Sequence, residues 1–116
     1  MEIIFYRTPA GNSPPEAYIE LLDAKTKKKV ARALDRLEKE GFDLQRTSDI
    51  FSKVIDDIYE LRVPPHGRVQ HRFMCGKIFY AICILDAFLK KQQKLKQADI
   101  NRSQDRLKEL KKQWKT

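Results

Sequence analysis

Four short runs of β-branched and aromatic residues follow one another in the second half of the sequence, after segments with helical periodicity. Such runs, separated by turn-forming residues, predict an antiparallel sheet, and their grouping apart from the helices makes the fold class α+β. The connection Gly76-Lys77 predicts a tight hairpin of the type II′ class between the last two runs. The predicted strands are Phe51 to Ile55, Ile58 to Val63, Val69 to Cys75 and Ile78 to Leu85.

The first third of the chain predicts a strand followed by a pair of helices. Glu2 to Thr8 is a β-prone stretch that ends in turn formers. Ser13–Glu16 has the sequence Ser-Pro-Pro-Glu, a capping-box pattern with proline at the first helical position. Lys27–Glu40 carries apolar residues at helical spacing, and Gly41 supplies a left-handed stop. The apolar positions of this second helix are Val30, Ala33, Leu34 and Leu37.

A third helical pattern lies at the end of the sequence. From about Ala98 the residues are highly charged, yet Ile100, Leu107, Leu110 and Trp114 recur at helical intervals, which predicts an amphipathic helix with a basic outer face. Trp114 is expected to anchor this helix on the core. At 116 residues the chain fits one domain, residues 1–116.

The charge balance indicates a polyanionic partner. Lys and Arg number 24 against 16 Asp and Glu, which gives a net charge of +8 and a pI near 9.6. Such a field attracts nucleic acid. The first residues, Met-Glu-Ile-Ile, and a longest apolar run of only Ile78–Leu85 predict neither a secretion signal nor a membrane span. Cys75 and Cys83 lack CxxC spacing, so a reducing compartment, the cytoplasm, is expected.

The predicted hairpins give the sheet an apolar face that packs on the helix pair. Residues that oppose each other across a hairpin share a face. Leu61 lies on this face, together with residues that a turn at Gly76-Lys77 brings opposite one another. Those pairs are Cys75 with Ile78, Phe73 with Tyr80, and His71 with Ile82, while Arg72 pairs with Ala81 on the other face.

The other face of the predicted sheet is polar and open to solvent. With a loop over Pro64 to Arg68, Arg62 pairs with Gln70 and Glu60 pairs with Arg72. In one interpretation Glu60 and Arg72 form a cross-strand ion pair and Arg62 is simply solvated. In a functional interpretation the arginine forks bind phosphate oxygens, and the adjacent basic run from Lys90 to Lys94 brings further cations to the same surface.

Motifs on these strands resemble those of a known family. They are Glu60-Leu61-Arg62, Arg72-Phe73 and Phe88-Leu89-Lys90-Lys91 followed by Lys94, with Leu37 to Gly41 as a helix end. The chain resembles the RelE/HigB superfamily of toxin ribonucleases, particularly its phage-derived HigB-like branch. The resemblance implies a RelE-like fold and a type II toxin that enters the ribosomal A site and cuts mRNA. It also implies a cognate antitoxin, commonly with a helix-turn-helix domain, and a toxin–antitoxin hetero-oligomer.

The resemblance further implies roles for individual side chains. Members of this type cleave by attack of the ribose 2′-hydroxyl, without a metal or other cofactor, which requires a proton acceptor, a proton donor and cationic stabilisation. Asp86 is the expected acceptor and a lysine the donor. The residues expected to be catalytic are Arg62, Arg72, Asp86 and Lys90, and Lys91 and Lys94 are expected to hold RNA.

The sequence departs from the usual pattern of that branch at three places. Asp86 stands where a histidine is usual. Met74 or Cys75 stands where an aromatic residue often follows the strand arginine, and Leu95-Lys96 replaces the usual Thr-Pro. The departure at Asp86 concerns the proton-transfer step, and therefore the identity of the general acid and base.

Other side chains are weaker candidates for the same surface. Arg68 and His66 lie at the predicted loop, where His66 would be free to move protons near neutral pH or be a plain turn residue. Phe79 lies on the open face and is expected to stack on bases, with edge packing as the alternative. The side chains His66, His71, Cys75 and Cys83 lack the spacing of a zinc site, so no metal is predicted, and His71 is expected in the core with a hydrogen-bond partner.

Two other functions remain open for this sequence. A toxin of the same superfold directed at DNA gyrase would bind a protein and cut nothing. A noncatalytic RNA- or partner-binding module would use the basic face only for affinity. In the first, Arg62 would be dispensable; in the second, its loss would weaken binding and reduce the salt dependence.

Overall fold

The computed structural model describes residues 1–66, 69–90 and 95–114, with only the backbone for 64–66, 69 and 114. Within these residues, five strands and four α-helices make an α+β fold, compatible with the RelE-like expectation. A short 3-10 turn and a one-turn helix, α3, follow α2 and were not expected from the sequence. In chain order the elements are β1 (Glu2–Phe5), α1 (Pro14–Glu20), α2 (Ala24–Glu40), the 3-10 turn (Gly41–Asp43), α3 (Leu44–Thr47), β2 (Phe51–Ile55), β3 (Ile58–His66), β4 (Val69–Ile78), β5 (Ala81–Lys90) and α4 (Gln97–Trp114).

The strands form one sheet in the order β1-β5-β4-β3-β2. The predicted antiparallel pairing is confirmed for β2 to β5, while β1 lies parallel to β5 at the other edge. The N-terminal strand is shorter than predicted because its pairing with β5 ends at Phe5.

The helix boundaries follow the sequence signals with one exception. Ser13 is the N-cap of α1 and Gly41, at φ +60°, ends α2 as predicted. Asp23 accepts a hydrogen bond from the Thr26 amide at 2.7 Å and so begins α2 three residues earlier than predicted. The predicted capping box is wrong, since Ser13 makes no side-chain cap bond and Glu16 pairs with an arginine of the preceding loop.

The turn between β4 and β5 is not where the sequence predicts it. Ile78 pairs with Ala81, so the turn consists of Phe79 and Tyr80, and the expected turn at Gly76-Lys77 is wrong. A Cβ added to Gly76 would lie 2.8 Å from a methyl of Leu107, so this glycine permits close approach of α4 to the sheet.

The later turn changes every partner predicted across β4 and β5. Tyr80 is 90% exposed at the hairpin tip and is not a core residue, contrary to expectation. In the actual register Cys75 pairs with Ile84, Phe73 with Ala87, Arg72 with Phe88, and His71 with Leu89.

Helices pack on both faces of the sheet, whereas the sequence predicts that only one face is covered. Helices α1 and α2 pack on the first face through a cluster that includes Leu37, Leu61 and Phe73. Helix α4 packs on part of the second face, where Leu107 meets Met74 and its neighbours. The expectation of a solvent-open polar face is therefore wrong for the part beneath α4, while the part beside α4 is open. The unbroken apolar run in β5 is the signal for this, because strands buried on both faces lose apolar–polar alternation.

Candidate functional site

A cleft of about 580 Å³ lies on the second face of the sheet, beside the part that α4 covers. Strands β2, β3 and β4 form its floor and the beginning of α4 forms a wall. The floor residues are Ser52, Val54, Glu60, Arg62, Gln70 and Arg72. The wall residues are Leu95, Gln97 and Ile100.

Glu60 and Arg72 form a buried ion pair at the base of this cleft. They are 3% and 5% exposed, and Arg72 Nη1 donates to Glu60 Oε1. Arg62 pairs with Arg72 and Glu60 pairs with Met74, so the ion pair is diagonal, and the predicted direct pairings are off by two residues. An error of two residues leaves every side chain on its predicted face, because the side-chain period of a strand is two.

Arg62 is fixed at the edge of the cleft by groups on two strands and a loop. Its Nη1 donates to Glu60 Oε1 at 3.1 Å and to Ser52 Oγ at 3.4 Å, and its Nη2 donates to the backbone carbonyl of Asp49. Both arginines thus bind the same carboxylate oxygen. Glu60 therefore orients two guanidinium groups toward one cleft.

Lys90 lies near Arg72 and Glu60 and forms a cluster with them and Arg62. It is only 8% exposed, and its Nζ has no hydrogen-bond partner among the described residues. Burial and the nearby Arg72 guanidinium lower the pKa of Lys90, while Glu60 and Asp99 oppose that shift. Arg72 Nε is likewise buried without a partner in the described part of the chain. Two cationic groups thus have donor capacity that no described residue uses.

Asp86 lies on the same side of the sheet but is bound to α4. Its Oδ2 accepts from Arg102 at 3.4 Å, and its Oδ1 lies 3.2 Å from Arg106 Nη1. Oδ1 also accepts the amide of Ala87 at 3.0 Å. Asp86 is four residues of strand, about 13 Å, from Lys90. Asp86 is nearer to Glu60, about 10 Å away across β4, but none of its described bonds joins it to Glu60, Arg62, Arg72 or Lys90.

The remaining predicted RNA contacts do not all meet at the cleft. Phe79 lies in the β4–β5 turn at φ +47°, about 23 Å of strand away from Arg72. A base that stacked on Phe79 would therefore lie far from the cleft. Arg68, Lys91, Lys94 and the side chain of His66 lie outside the described residues, as does the side chain of Trp114.

Cys75 and Cys83 are buried, whereas His71 is half-buried and does not lie fully in the core as expected. As predicted, His71 has a hydrogen-bond partner: its Nδ1 lies 2.6 Å from the Tyr18 hydroxyl. Burial lowers the pKa of His71 and raises the thiol pKa of Cys83 to about 12. Cys75 and Cys83 belong to the cores on opposite faces of the sheet. Among the described residues no three His, Cys, Asp or Glu side chains are grouped as metal ligands would be.

Three residues of the cleft, Ser52, Gln97 and Ile100, are not predicted by the sequence. Ser52 pairs with Glu60 across β2 and β3, so extending the strand-pairing argument to β2 would have found it. Gln97 and Ile100 carry no such signal, because only the packing of α4 on the sheet brings them to the cleft. The central position of Glu60 was also undervalued, since the sequence suggested at most an exposed ion pair.

The fold and the cleft together define an α+β protein with a conformationally fixed cationic site on its central sheet. The chain belongs to the family of phage-derived Gp49-like proteins (DUF891), whose model matches residues 17–108. That family is part of the RelE/HigB-like toxin superfamily, so the resemblance is confirmed at the level of the superfamily. The match spans every residue of the cleft. No curated protein sequence matches the chain significantly. None of the described helices has the length and apolar character needed to cross a membrane.

Proposed function

We propose that this chain is the toxin of a type II toxin–antitoxin system, of the HigB-like branch, and that it cuts mRNA on the ribosome. A cognate antitoxin, with a helix-turn-helix domain, would neutralise it in a hetero-oligomer. The observation that carries the proposal is a pair of buried cations beside a cleft on the sheet, Lys90 and Arg72, each with a donor that no described residue accepts from. Membership in a toxin family supports the same conclusion.

The cleft has the groups that metal-independent RNA cleavage requires. In this reaction the ribose 2′-oxygen forms a bond to phosphorus and the bond from phosphorus to the 5′-oxygen breaks. The products are a 2′,3′-cyclic phosphate and a free 5′-hydroxyl. The proton of the 2′-hydroxyl must go to an acceptor, the leaving oxygen must gain one, and the phosphorane carries extra negative charge. Arg72 and Arg62 are suited to stabilise that charge, because their guanidinium groups are already oriented.

Lys90 is suited to donate the proton to the leaving oxygen. An ordinary lysine holds its proton too tightly to be an efficient acid near neutral pH. Burial and Arg72 lower the pKa of Lys90. A phosphate bound beside it would supply the hydrogen-bond acceptor that its Nζ lacks among the described residues.

Glu60 is the better proton acceptor on geometric grounds. Its described bonds to Arg62 and Arg72 both end on Oε1, which leaves Oε2 for a 2′-hydroxyl. Asp86, the acceptor expected from the sequence, would first have to release Arg102 and Arg106. We therefore assign the acceptor role to Glu60 and a structural role to Asp86, which joins β5 to α4.

The first test is a cell-free translation reaction with purified protein, in which primer extension maps new 5′ ends on the message. Wild type is expected to produce new ends only on translated message. Arg72→Lys keeps the positive charge beside Glu60 but loses the planar fork, so cleavage is expected to fall about 10²-fold or more. Lys53→Met, an exposed lysine of β2 on the other face, serves as the control and is expected to cut like wild type.

The other outcomes of this reaction separate the competing functions. Cleavage of message without translation would contradict ribosome dependence. Intact message with continued translation would contradict the nuclease and favour a gyrase-directed or binding role. Cleavage by Arg72→Lys at the wild-type rate would remove Arg72 from the site even if the activity itself were present.

Asp86→Asn tests the choice of acceptor. The variant is expected to cut within about tenfold of wild type, because a structural residue takes no part in proton transfer. Its free energy of unfolding is expected to fall by about 1 to 3 kcal/mol, since Arg102 and Arg106 lose a charged partner. Primer extension and urea denaturation measure the two effects. A folded variant that no longer cuts would return the acceptor role to Asp86.

A further inference from the structure

Helix α2 has a basic outer face on the side of the sheet opposite the cleft. It packs on the sheet through Val30, Ala33 and Leu37, which are buried. The residues on its outward side include six cations at helical spacing. They are Lys25, Lys28, Lys29, Arg32, Arg36 and Lys39.

Ion pairing divides these cations into two groups. Arg36 pairs with Glu40 at 3.3 Å and Lys39 pairs with Asp35 at 3.0 Å. The other four cations, called here the basic stripe, form no ion pair with any described residue. The basic stripe consists of Lys25, Lys28, Lys29 and Arg32.

The spacing of the stripe suits a regular line of negative charges. Lys25, Lys29 and Arg32 lie along about two turns of helix and are separated by steps of about 5 Å along its axis. A helix that presents cations in this way can follow the phosphates of one strand of a nucleic-acid helix. Salt-bridged neighbours would contribute less, because their charge is already compensated.

The composition of this face favours a nucleic-acid backbone over a protein. Protein interfaces have an apolar centre that supplies most of their affinity. Helix α2 is described along its whole length, and none of the exposed large hydrophobic side chains lies on it. Binding to a phosphate backbone needs no such centre.

We propose that the basic stripe binds the backbone of double-stranded RNA, while the cleft on the opposite face takes the single strand that is cut. The binding of a nucleic-acid backbone rests on the charges of α2 alone, whereas the choice of RNA over DNA and the second half of the statement rest on the proposed function. Because the sheet separates α2 from the cleft, both surfaces can be occupied at the same time. The protein would then bind double-stranded RNA on α2 and the message in the cleft, on opposite faces of the sheet.

The test measures fluorescence anisotropy of a labelled, blunt-ended RNA duplex over a series of KCl concentrations. The stripe variant is Lys25→Gln, Lys28→Gln, Lys29→Gln and Arg32→Gln together. Its affinity is expected to fall at least about tenfold, and the slope of log K against log salt to decrease by about 3 to 4.

The matched control, Arg36→Gln with Lys39→Gln, removes two charges of the same helix that are already paired. Its slope is expected to change by about 1 or less. Circular dichroism checks that both variants are folded.

Three results would overturn the proposal. The stripe would be an ordinary solvated face if wild type failed to bind the duplex or if the stripe variant bound it like wild type. The same would follow if the stripe variant and the control lost equal affinity for each charge removed. The same proteins in the translation reaction separate the two proposals. If wild type bound the duplex as expected but did not cleave message, the nuclease proposal would be contradicted and the proposal for the stripe would stand.

Discussion

Lys90→Met is expected to slow RNA cleavage strongly and to raise the stability of the protein at the same time. The Nζ atom of Lys90 is buried without a described hydrogen-bond partner, and Arg72 is a like-charged neighbour. Methionine is of similar length and uncharged, so the free energy of unfolding is expected to increase by about 1 to 3 kcal/mol. Loss of the proton donor is expected to slow cleavage by about 10²- to 10⁴-fold. A gain in stability with a loss of activity is typical of a functional residue in an unfavourable environment.

The stability gain should shrink at alkaline pH, which identifies the ammonium group as its cause. Burial lowers the pKa of Lys90 below the ordinary value of 10.5. Below the folded-state pKa the lysine is charged in both states, and the full penalty is present. Between that pKa and 10.5 the unfolded chain binds more protons, so wild type gains stability relative to Lys90→Met as the pH rises. Urea denaturation of both proteins at neutral pH and at about pH 10 measures the difference.

Lys53→Met is the matched control for both measurements. Lys53 is exposed on β2 and lies on the face away from the cleft. Its replacement is expected to change stability by no more than about 0.5 kcal/mol and to leave cleavage unchanged. If Lys90→Met cleaved message at the wild-type rate, Lys90 would be excluded as the proton donor. A loss of stability in that variant would mean that the ammonium has favourable interactions in the folded protein.

The face of each strand residue could be predicted from the sequence, whereas strand register could not. Alternation along β3 and β4 correctly places Glu60, Arg62 and Arg72 on one side, although the predicted pairing is off by two residues. The β4–β5 turn was misplaced because Gly76 resembles a turn residue. It is needed instead for contact with Leu107, a residue far away in the sequence. Local propensity cannot distinguish these two uses of glycine.

The position of Lys90 depends on a feature that alternation cannot predict. In β5, Ile82 and Ile84 face α1 and α2, so unbroken alternation would place Lys90 on that face as well. A bulge interrupts the register, because Met74 pairs with Asp86 while Cys75 pairs with Ile84. The extra residue, Leu85, shifts the alternation by one and turns Lys90 toward Arg72 and Glu60. A single inserted residue thus completes the cluster, and bulges are frequent beside functional sites.

Glu60→Gln is expected to be the most destabilising change in the cluster. The carboxylate binds Arg62 and Arg72 directly and offsets the charge of Lys90. Without it, buried positive charges repel one another, and the free energy of unfolding is expected to fall by about 3 to 5 kcal/mol. That is a large fraction of the 5 to 15 kcal/mol by which domains of about this size are typically stable. Urea denaturation monitored by circular dichroism measures the loss.

Arg72→Met should cost less than Glu60→Gln, about 1 to 3 kcal/mol, because Glu60 still has Arg62 as a partner. Replacing Glu60 and Arg72 together by methionine removes the whole buried pair and is expected to be close to neutral. This double variant keeps the test informative even if Glu60→Gln alone does not fold. Equal losses in Glu60→Gln and Arg72→Met would contradict the view that one carboxylate compensates several cations.

The combination of Glu60→Gln with Lys90→Met decides whether these groups form a single electrostatic cluster. If Lys90 is destabilising mainly because it shares a buried site with Arg72, its removal should matter more once Glu60 is gone. The double variant is then expected to recover at least about 1 kcal/mol more than the sum of the single effects predicts. Strict additivity would mean that Lys90 and Glu60 do not interact. A coupled result would mean that the Glu60 carboxylate offsets the charges of both Arg72 and Lys90 in the free protein. A bound phosphate would then supply the further negative charge that the cluster lacks.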